Sequence, residues 1–157
     1  GLENCPLLEE LSLESNKITR IDGLHKLTFL KKLDLGKNRL TKLDALESLE
    51  NLAQLSIEEN MISSLKGLWN LKNLMELYLG NNRFSDLKEI QHIKGLTKLL
   101  ILDVSGNPFA NETNARLYII FYIKRLKVLD GSGIEQSEHI RAKELYAGRL
   151  TEEVLES

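Results

Sequence analysis

Asparagine recurs along this chain at Asn16, Asn38, Asn60, Asn82 and Asn107, at intervals of 22, 22, 22 and 25 residues. Before each stands the same apolar frame: Leu8, Leu11, Leu13; Leu30, Leu33, Leu35; Leu52, Leu55, Ile57; Leu74, Leu77, Leu79; Leu99, Leu102, Val104. Two more apolar columns follow, first Ile18, Leu40, Ile62, Phe84 and Phe109, then Ile21, Leu43, Leu65 and Leu87. Each unit closes on leucines three apart, as in Leu24 and Leu27, Leu46 and Leu49, or Leu68 and Leu71. Register held over five units means that the chain repeats one supersecondary coil instead of closing around a single core. The columns also account for 33 leucines among 157 residues, against 12 isoleucines and 3 valines.

The spacings say what each coil contains. Two-residue alternation makes a short strand with its leucines inward, and three- to four-residue spacing makes a short helix or 3-10 turn. One coil cannot bury its own leucines. Stacked coils cover one another, with a parallel sheet on the concave side and helical segments on the convex side. An asparagine after each strand carries donors and an acceptor for backbone groups that the turn leaves unmatched. Asn16, Asn38, Asn60 and Asn82 are therefore expected to form an internal scaffold ladder rather than a binding site.

The frame reads L-x-x-L-x-L-x-x-N and resembles the 22-residue class of leucine-rich repeats, typified by a regulatory subunit of protein phosphatase 1. Several cytoskeletal, ciliary and nuclear adaptor proteins share that class. The period stops after Asn107 and Pro108; Leu117, Ile119, Ile120, Phe121, Tyr122 and Ile123 come next, and Leu126-x-x-Leu129-Asp130-Gly131 imitates a last strand. This stretch is similar to the C-terminal cap of the same family, with Ala115-Arg116 and Lys124 where that cap commonly has a tyrosine before its arginine and a proline before the last strand. The run from Ala142 to Thr151 resembles the segment after the cap in large multi-block leucine-rich-repeat proteins of cilia. The fold class expected is α/β: a right-handed solenoid of one partial and five full repeats over 1–110, a helical cap over 111–142, and a helical tail or linker over 143–157. Gly148 is expected to stop the first tail helix and Thr151 to cap a last one.

Gly1, Gly23, Ala45 and Gly67 lie 22 apart, as do Leu2, Leu24, Leu46 and Leu68, so residues 1–7 read as the closing half of a preceding repeat. The expectation is a fragment of a longer solenoid. Cys5 then falls in the column of Leu27, Leu49 and Leu71, as a small buried residue, and a single cysteine suits a reducing compartment. The fourth repeat is three residues longer, which adds a helical turn on the convex side, either a docking bump or a harmless insertion.

Little points to chemistry. His25, His92 and His139 occupy non-equivalent places, and no metal-ligand spacing, phosphate loop or nucleophile motif accompanies them. We expect no catalytic residue, no metal and no cofactor. With 21 basic and 23 acidic residues, nothing advertises a nucleic-acid or anionic-membrane partner, and no apolar run reaches the ~20 residues of a membrane span.

What remains is surface. The register points seven acids to the concave side (Glu10, Glu14, Asp34, Glu58, Glu59, Glu76 and Asp103) against Lys32 and Lys37. The edge after the asparagines carries Lys17, Arg20, Arg39, Lys42 and Arg83, opposed by Asp86. Tyr78 stands mid-sheet among small neighbours as an aromatic anchor, while Trp69 shares a convex column with His25 and Glu47 and either meets a partner or lies across its neighbours' stems. Phe29 follows Leu7 by 22 residues and is expected to stack on it, and Arg116, Lys124, Arg125 and Lys127 form a basic cluster expected to be a solvated face of the cap. The expected partner is a basic or amphipathic protein segment on the concave face, bound by a monomeric, non-catalytic module. The setting expected is intracellular and cytoplasmic, with cilium and cytoskeleton as its places. The family resemblance adds two alternatives: a regulatory subunit docking an enzyme such as a protein phosphatase, and a ribonucleoprotein component acting through a protein partner.

Overall fold

A computed structural model describes the backbone of residues 2–156 and the side chains of residue 2 and residues 4–148. Gly1, first of the small-residue column, and the side chain of Thr151 lie outside the described residues. The repeats supply five short strands: β1 (Glu10–Ser12), β2 (Lys32–Asp34), β3 (Gln54–Ser56), β4 (Glu76–Tyr78) and β5 (Ile101–Asp103). They pair in parallel and in the register the repeat demands, Leu11 beside Leu33, Leu55, Leu77 and Leu102. Two cap strands, β6 (Val128–Leu129) and β7 (Ser132–Gly133), extend the sheet, β6 parallel to β5 and β7 antiparallel to β6. Leu33, Leu55, Leu77 and Leu102 are buried, and so are the leucines of the convex turns. The solenoid expected from the repeat is the fold observed.

The convex side is built from tight turns. Leu27 N–H donates to the Leu24 carbonyl and Leu30 N–H to that of Leu27, and the pattern repeats at Leu46, Leu49 and Leu52 and at Leu68, Leu71 and Leu74. Between Leu24 and Leu30 a 22-residue unit has room only for two such turns. The longer fourth unit has more, and Leu87–Ile93 there forms a 3-10 helix with Leu87, Ile90 and Ile93 buried. The insertion is tied to the cap: Gln91 Nε2 donates to the Tyr118 hydroxyl at 3.0 Å. A second polar ladder runs along these turns, Ser48 to the His25 carbonyl, Asn51 to that of Thr28, Asn70 to that of Glu47 and Asn73 to that of Glu50.

The asparagine ladder joins coil to coil. Asn82 Nδ2 donates to the Leu79 carbonyl of its own coil at 3.0 Å and to the Ile57 carbonyl of the preceding coil at 2.9 Å. Its Oδ1 accepts from Ile62 N–H at 3.1 Å. Asn38 and Asn60 repeat the pattern, and Asn107 Oδ1 accepts from both Asn82 and Phe84 N–H. Asn16 is exposed and bonds only the Leu13 and Glu14 carbonyls of its own coil. Each residue before these asparagines is held at positive φ: Ser15 61°, Lys37 55°, Glu59 54°, Asn81 55° and Gly106 73°. A Cβ at Gly106 would collide with the Asn81 side chain, so a larger residue there needs that side chain to move.

Among the described residues the first coil is covered on one side. Cys5 holds the expected register, its N–H bonded to the Leu2 carbonyl as Leu27 is to Leu24, yet it is exposed. The buried members of its column lie between two coils, whereas among the described residues Cys5 has the Leu27 coil on one side only. Leu7 and Phe29, expected to stack, are 74% and 52% exposed, so both lie on the surface rather than in the core. Their column turns polar at Asn51 and Asn73, which face the convex carbonyls.

At the other end α1 (Ala115–Tyr122) buries Ala115, Leu117, Ile119 and Ile120 over the last coil. Val104 N–H finds its acceptor in Asp130 Oδ1 at 2.7 Å, so a side chain ends the sheet ladder where the chain turns away at positive φ. The long helix α2 (Gln136–Glu156) packs on α1 through buried Ala142 and Tyr146. It runs on past Gly148, which does not stop it; a glycine within a helix costs only about 1 kcal/mol. Tyr146 stands edge-on to Tyr118 with ring centroids 5.5 Å apart. Arg116 is no part of a solvated basic face. Its Nε lies 2.6 Å from Glu138 Oε2, and its Nη1 donates to the Leu129 carbonyl at 3.1 Å, pinning α1 to α2 and to β6.

Two stability measurements test these bonds. Asn82→Ala leaves the buried Ile62 N–H unmatched and takes one of two donors from each of the Ile57 and Leu79 carbonyls, so it should cost about 1–3 kcal/mol in urea unfolding, whereas exposed Asn16→Ala should cost under about 1 kcal/mol. The Arg116 guanidinium holds the Glu138 carboxyl below its usual range, helped by Glu135 N–H and opposed by burial. A depressed folded-state pKa gives stability that is present above the unfolded value and lost as pH falls through the folded one. Glu138→Gln should therefore be less stable than the parent at pH 7 by about 1 kcal/mol, with the gap closing below about pH 4.

Candidate protein-binding face

Alternation in the strands sends every second residue outward, and parallel pairing sets those residues in rows across the concave sheet. Glu10, Lys32, Gln54, Glu76 and Ile101 form one row; Ser12, Asp34, Ser56, Tyr78 and Asp103 form the next. Glu14 and Glu58 come just after their strands, with Glu59 beside Glu58 at the left-handed turn. The structure thus brings together Glu10, Asp34, Glu58, Glu59, Glu76, Tyr78 and Asp103. Trp69 lies on the convex side, 59% exposed, with Lys72 Nζ 5.8 Å from its ring centroid. It borders a groove of about 510 Å³ whose walls carry Lys42, Asp44, Glu47 and Lys66, charges of both signs.

Charge on the concave face is unevenly answered. Lys32 Nζ is 3.7 Å from Glu10 and Lys37 Nζ is 3.7 Å from Glu14, so both lysines are engaged at the N-terminal end of the sheet. Among the described residues no basic side chain lies within ion-pair distance of Asp34, Glu58, Glu59, Glu76 or Asp103. Asp34 Oδ1 accepts from Gly36 N–H, and Asp103 Oδ1 from the N–H and hydroxyl of Ser105. Those bonds orient the two carboxylates without neutralising them.

Glu58 sits at the centre of this crowd. Gly36 and Gly80 are buried on either side, and a Cβ on Gly80 would lie 3.8 Å from Glu58 Cγ, so the missing side chain leaves the glutamate stem room to lie down on the sheet. Partial burial, then the charges of Asp103, Asp34, Glu59 and Glu14, push the Glu58 carboxyl up. The Tyr78 hydroxyl donates to Glu76 Oε1 at 2.8 Å. Burial first, then that bond and the charges of Glu76, Glu58 and Asp103, push Tyr78 up to about 12. Tyr78 is therefore a half-buried ring with an occupied hydroxyl, not a free polar anchor. What it presents to a partner is its face.

The basic edge is less separated than its columns imply. Arg20 Nη2 is 3.1 Å from Asp22 Oδ2, an acid outside the aligned columns, while Lys17, Arg39, Lys42 and Arg83 stand exposed. No group of three or more His, Cys, Asp or Glu among the described residues is placed to hold a metal ion. Among those residues no helix is long and apolar enough to cross a membrane.

A raised carboxyl pKa means stability that falls as pH rises through the folded value, because the folded state then holds the proton more tightly than the unfolded one. Glu58→Gln should raise the urea midpoint at pH 7, and the gain should vanish as the pH is lowered past the ordinary glutamate range near ~4.3.

Comparison with known proteins agrees with this architecture. The leucine-rich-repeat family profile matches residues 3–157. A chain of the Drosophila melanogaster SNF/U2A′ complex superposes with a TM-score of 0.82 at 31% identity, over 94% of this chain and 86% of that one. Internalin C2 of Listeria monocytogenes superposes with a TM-score of 0.66 at 27% identity, over 82% of this chain and 53% of that one. A second Listeria monocytogenes internalin, at 21% identity and a TM-score of 0.60 over 81% of this chain and 48% of that one, shares the fold. With its repeats, its ladder and its family match in agreement, the chain belongs to the leucine-rich-repeat family.

Proposed function

We propose that this chain is a non-catalytic protein-interaction module that holds a basic or amphipathic segment of a partner protein against the acidic half of its concave sheet. The observation that carries this reading is the set of five carboxylates, Asp34, Glu58, Glu59, Glu76 and Asp103, for which the described residues offer no cation. A lysine or arginine brought among them relieves the mutual repulsion that adds to burial in raising Glu58, and an apolar neighbour on the same segment covers the Tyr78 ring. We take 1–110 as the binding solenoid and the residues from 111 onward as its cap, since α2 crosses the boundary expected at residue 142 and packs on α1 through Tyr146. Its place is that of a scaffold or adaptor in a larger intracellular protein, cytoplasmic or ciliary, to which the lone cysteine is suited.

The second reading is a ribonucleoprotein component acting through one protein partner. The match to a chain solved as part of the SNF/U2A′ complex favours it over a docked phosphatase.

Binding of a fluorescein-labelled peptide of alternating lysine and leucine pairs, followed by anisotropy, tests the face. Paired Glu58→Lys and Asp103→Lys should weaken binding by about tenfold or more, Tyr78→Ala by a few-fold, and Trp69→Ala not at all. Affinity untouched by the paired charge reversal would remove the concave face from the reading. A change in phosphatase catalytic rate on adding the module would favour the enzyme-docking alternative.

A further inference from the structure

The cap carries grooves of the opposite sign. One, of about 360 Å³, lies where residues 94–97 meet the end of α1, with Lys94, Lys124 and Arg125 on its walls beside Phe121 and Tyr122. Another, of about 390 Å³, lies between α1 and α2, with Lys124, His139 and Lys143 around Ile120 and Phe121. Phe121 and Lys124 line both, so the two adjoin across the outer face of the cap. Among the described residues no carboxylate lines either groove, in a chain with 23 acidic and 21 basic residues. Among the described residues, none of Lys94, Lys124, Arg125 and Lys143 lies within ion-pair distance of a carboxylate.

Helix-end electrostatics explains part of this. Lys124 and Arg125 follow the C-terminus of α1, where cations complement the helix dipole. Lys124 Nζ also stands 5.8 Å from the Phe121 ring centroid. The same helix-end effect suits Lys94, the C-cap of the inserted 3-10 helix, but neither effect calls for Lys143, which comes from the interior of α2. Three separate elements converge their cations on one aromatic and aliphatic floor.

We propose that this double groove is a second docking surface, which takes an acidic, amphipathic segment of a partner protein. An apolar side chain of the segment rests on Phe121, the partly exposed ring that both grooves share. Its carboxylates meet Lys94 and Arg125 at one end and Lys124 and Lys143 at the other. Charge complementarity selects this occupant, and the contrast with the acidic concave face keeps one segment from occupying the other's site. The module then holds two segments of opposite charge, one on the sheet and one on the cap. This proposal stands apart from the concave-face reading and survives its failure.

The test uses the whole chain and a fluorescein-labelled peptide of alternating glutamate and leucine pairs, followed by anisotropy. Paired Lys124→Glu and Lys143→Glu should weaken binding by about tenfold or more, and paired Lys94→Glu and Arg125→Glu likewise. Glu58→Lys should leave it unchanged. All four cationic side chains are exposed, so melting temperatures should match the parent and separate lost binding from lost folding. An acidic peptide that does not bind, or that binds every cap variant as it binds the parent, overturns the proposal. So does tighter binding of oligouridylate that displaces the peptide, which would make the groove a nucleic-acid contact. Sedimentation showing parent self-association, abolished both by Glu58→Lys and by the cap variants, would make a second copy the occupant and equally overturn it.

Discussion

Every coil depends on an amide that belongs to two coils at once. A turn after each strand leaves carbonyls pointing inward with no donor of their own, and an unmatched buried carbonyl costs about 1–3 kcal/mol. Asn38, Asn60, Asn82 and Asn107 each give Nδ2 to carbonyls of their own and the preceding coil and take an N–H from the preceding coil on Oδ1. The residues before them pay for this with left-handed backbone, a cost of roughly 1–2 kcal/mol at a non-glycine position. Their N–H groups reach the next coil, Lys37 to Glu58 and Glu59 to Gly80, which is why the strain is retained. The same turn that closes the ladder lifts Glu59 to the rim of the concave face, so scaffold and candidate site share their geometry.

The sheet and its charge result from that stacking. Once leucines at alternate positions are committed to the interior, whatever lies between them must form the concave surface. Parallel register then places the outward carboxylates of successive coils side by side. Repulsion among them is tolerated because the coils are held from within. Lys32 and Lys37 answer the acids of the first coil and leave the later coils unanswered. The cap reverses the sign, with Lys124 and Lys143 brought together by the packing of α1 on α2.

The repeat, its register and the outward positions were legible in the order of residues because a solenoid makes neighbours of residues one period apart. Leu33 and Leu55, or Asp34 and Ser56, are contacts that a 22-residue ruler finds. The convex ladder was within reach of the same ruler, since Ser48 and Asn70, and Asn51 and Asn73, are also 22 apart, but a polar column of two is faint beside a leucine column of four. Contacts outside the period were invisible to it. Arg116 reads as one more cation in a basic stretch until Glu138, Leu129 and Gly133 are seen around it. Tyr78 reads as exposed until its hydroxyl is found on Glu76, two residues away on the same face of the strand. Cys5 reads as buried because its column is buried, and a column does not record how many neighbours each member has.

By itself, then, the sequence determined the coil, its pitch, the interior ladder and the acidity of the concave rows, because all of these are set by spacing along the chain. Tertiary structure decided which charges are answered, how α1 and α2 close the last coil and where the cap gathers its cations. Those outcomes depend on groups far apart in sequence approaching within hydrogen-bond or ion-pair distance, and no period along the chain encodes such distances.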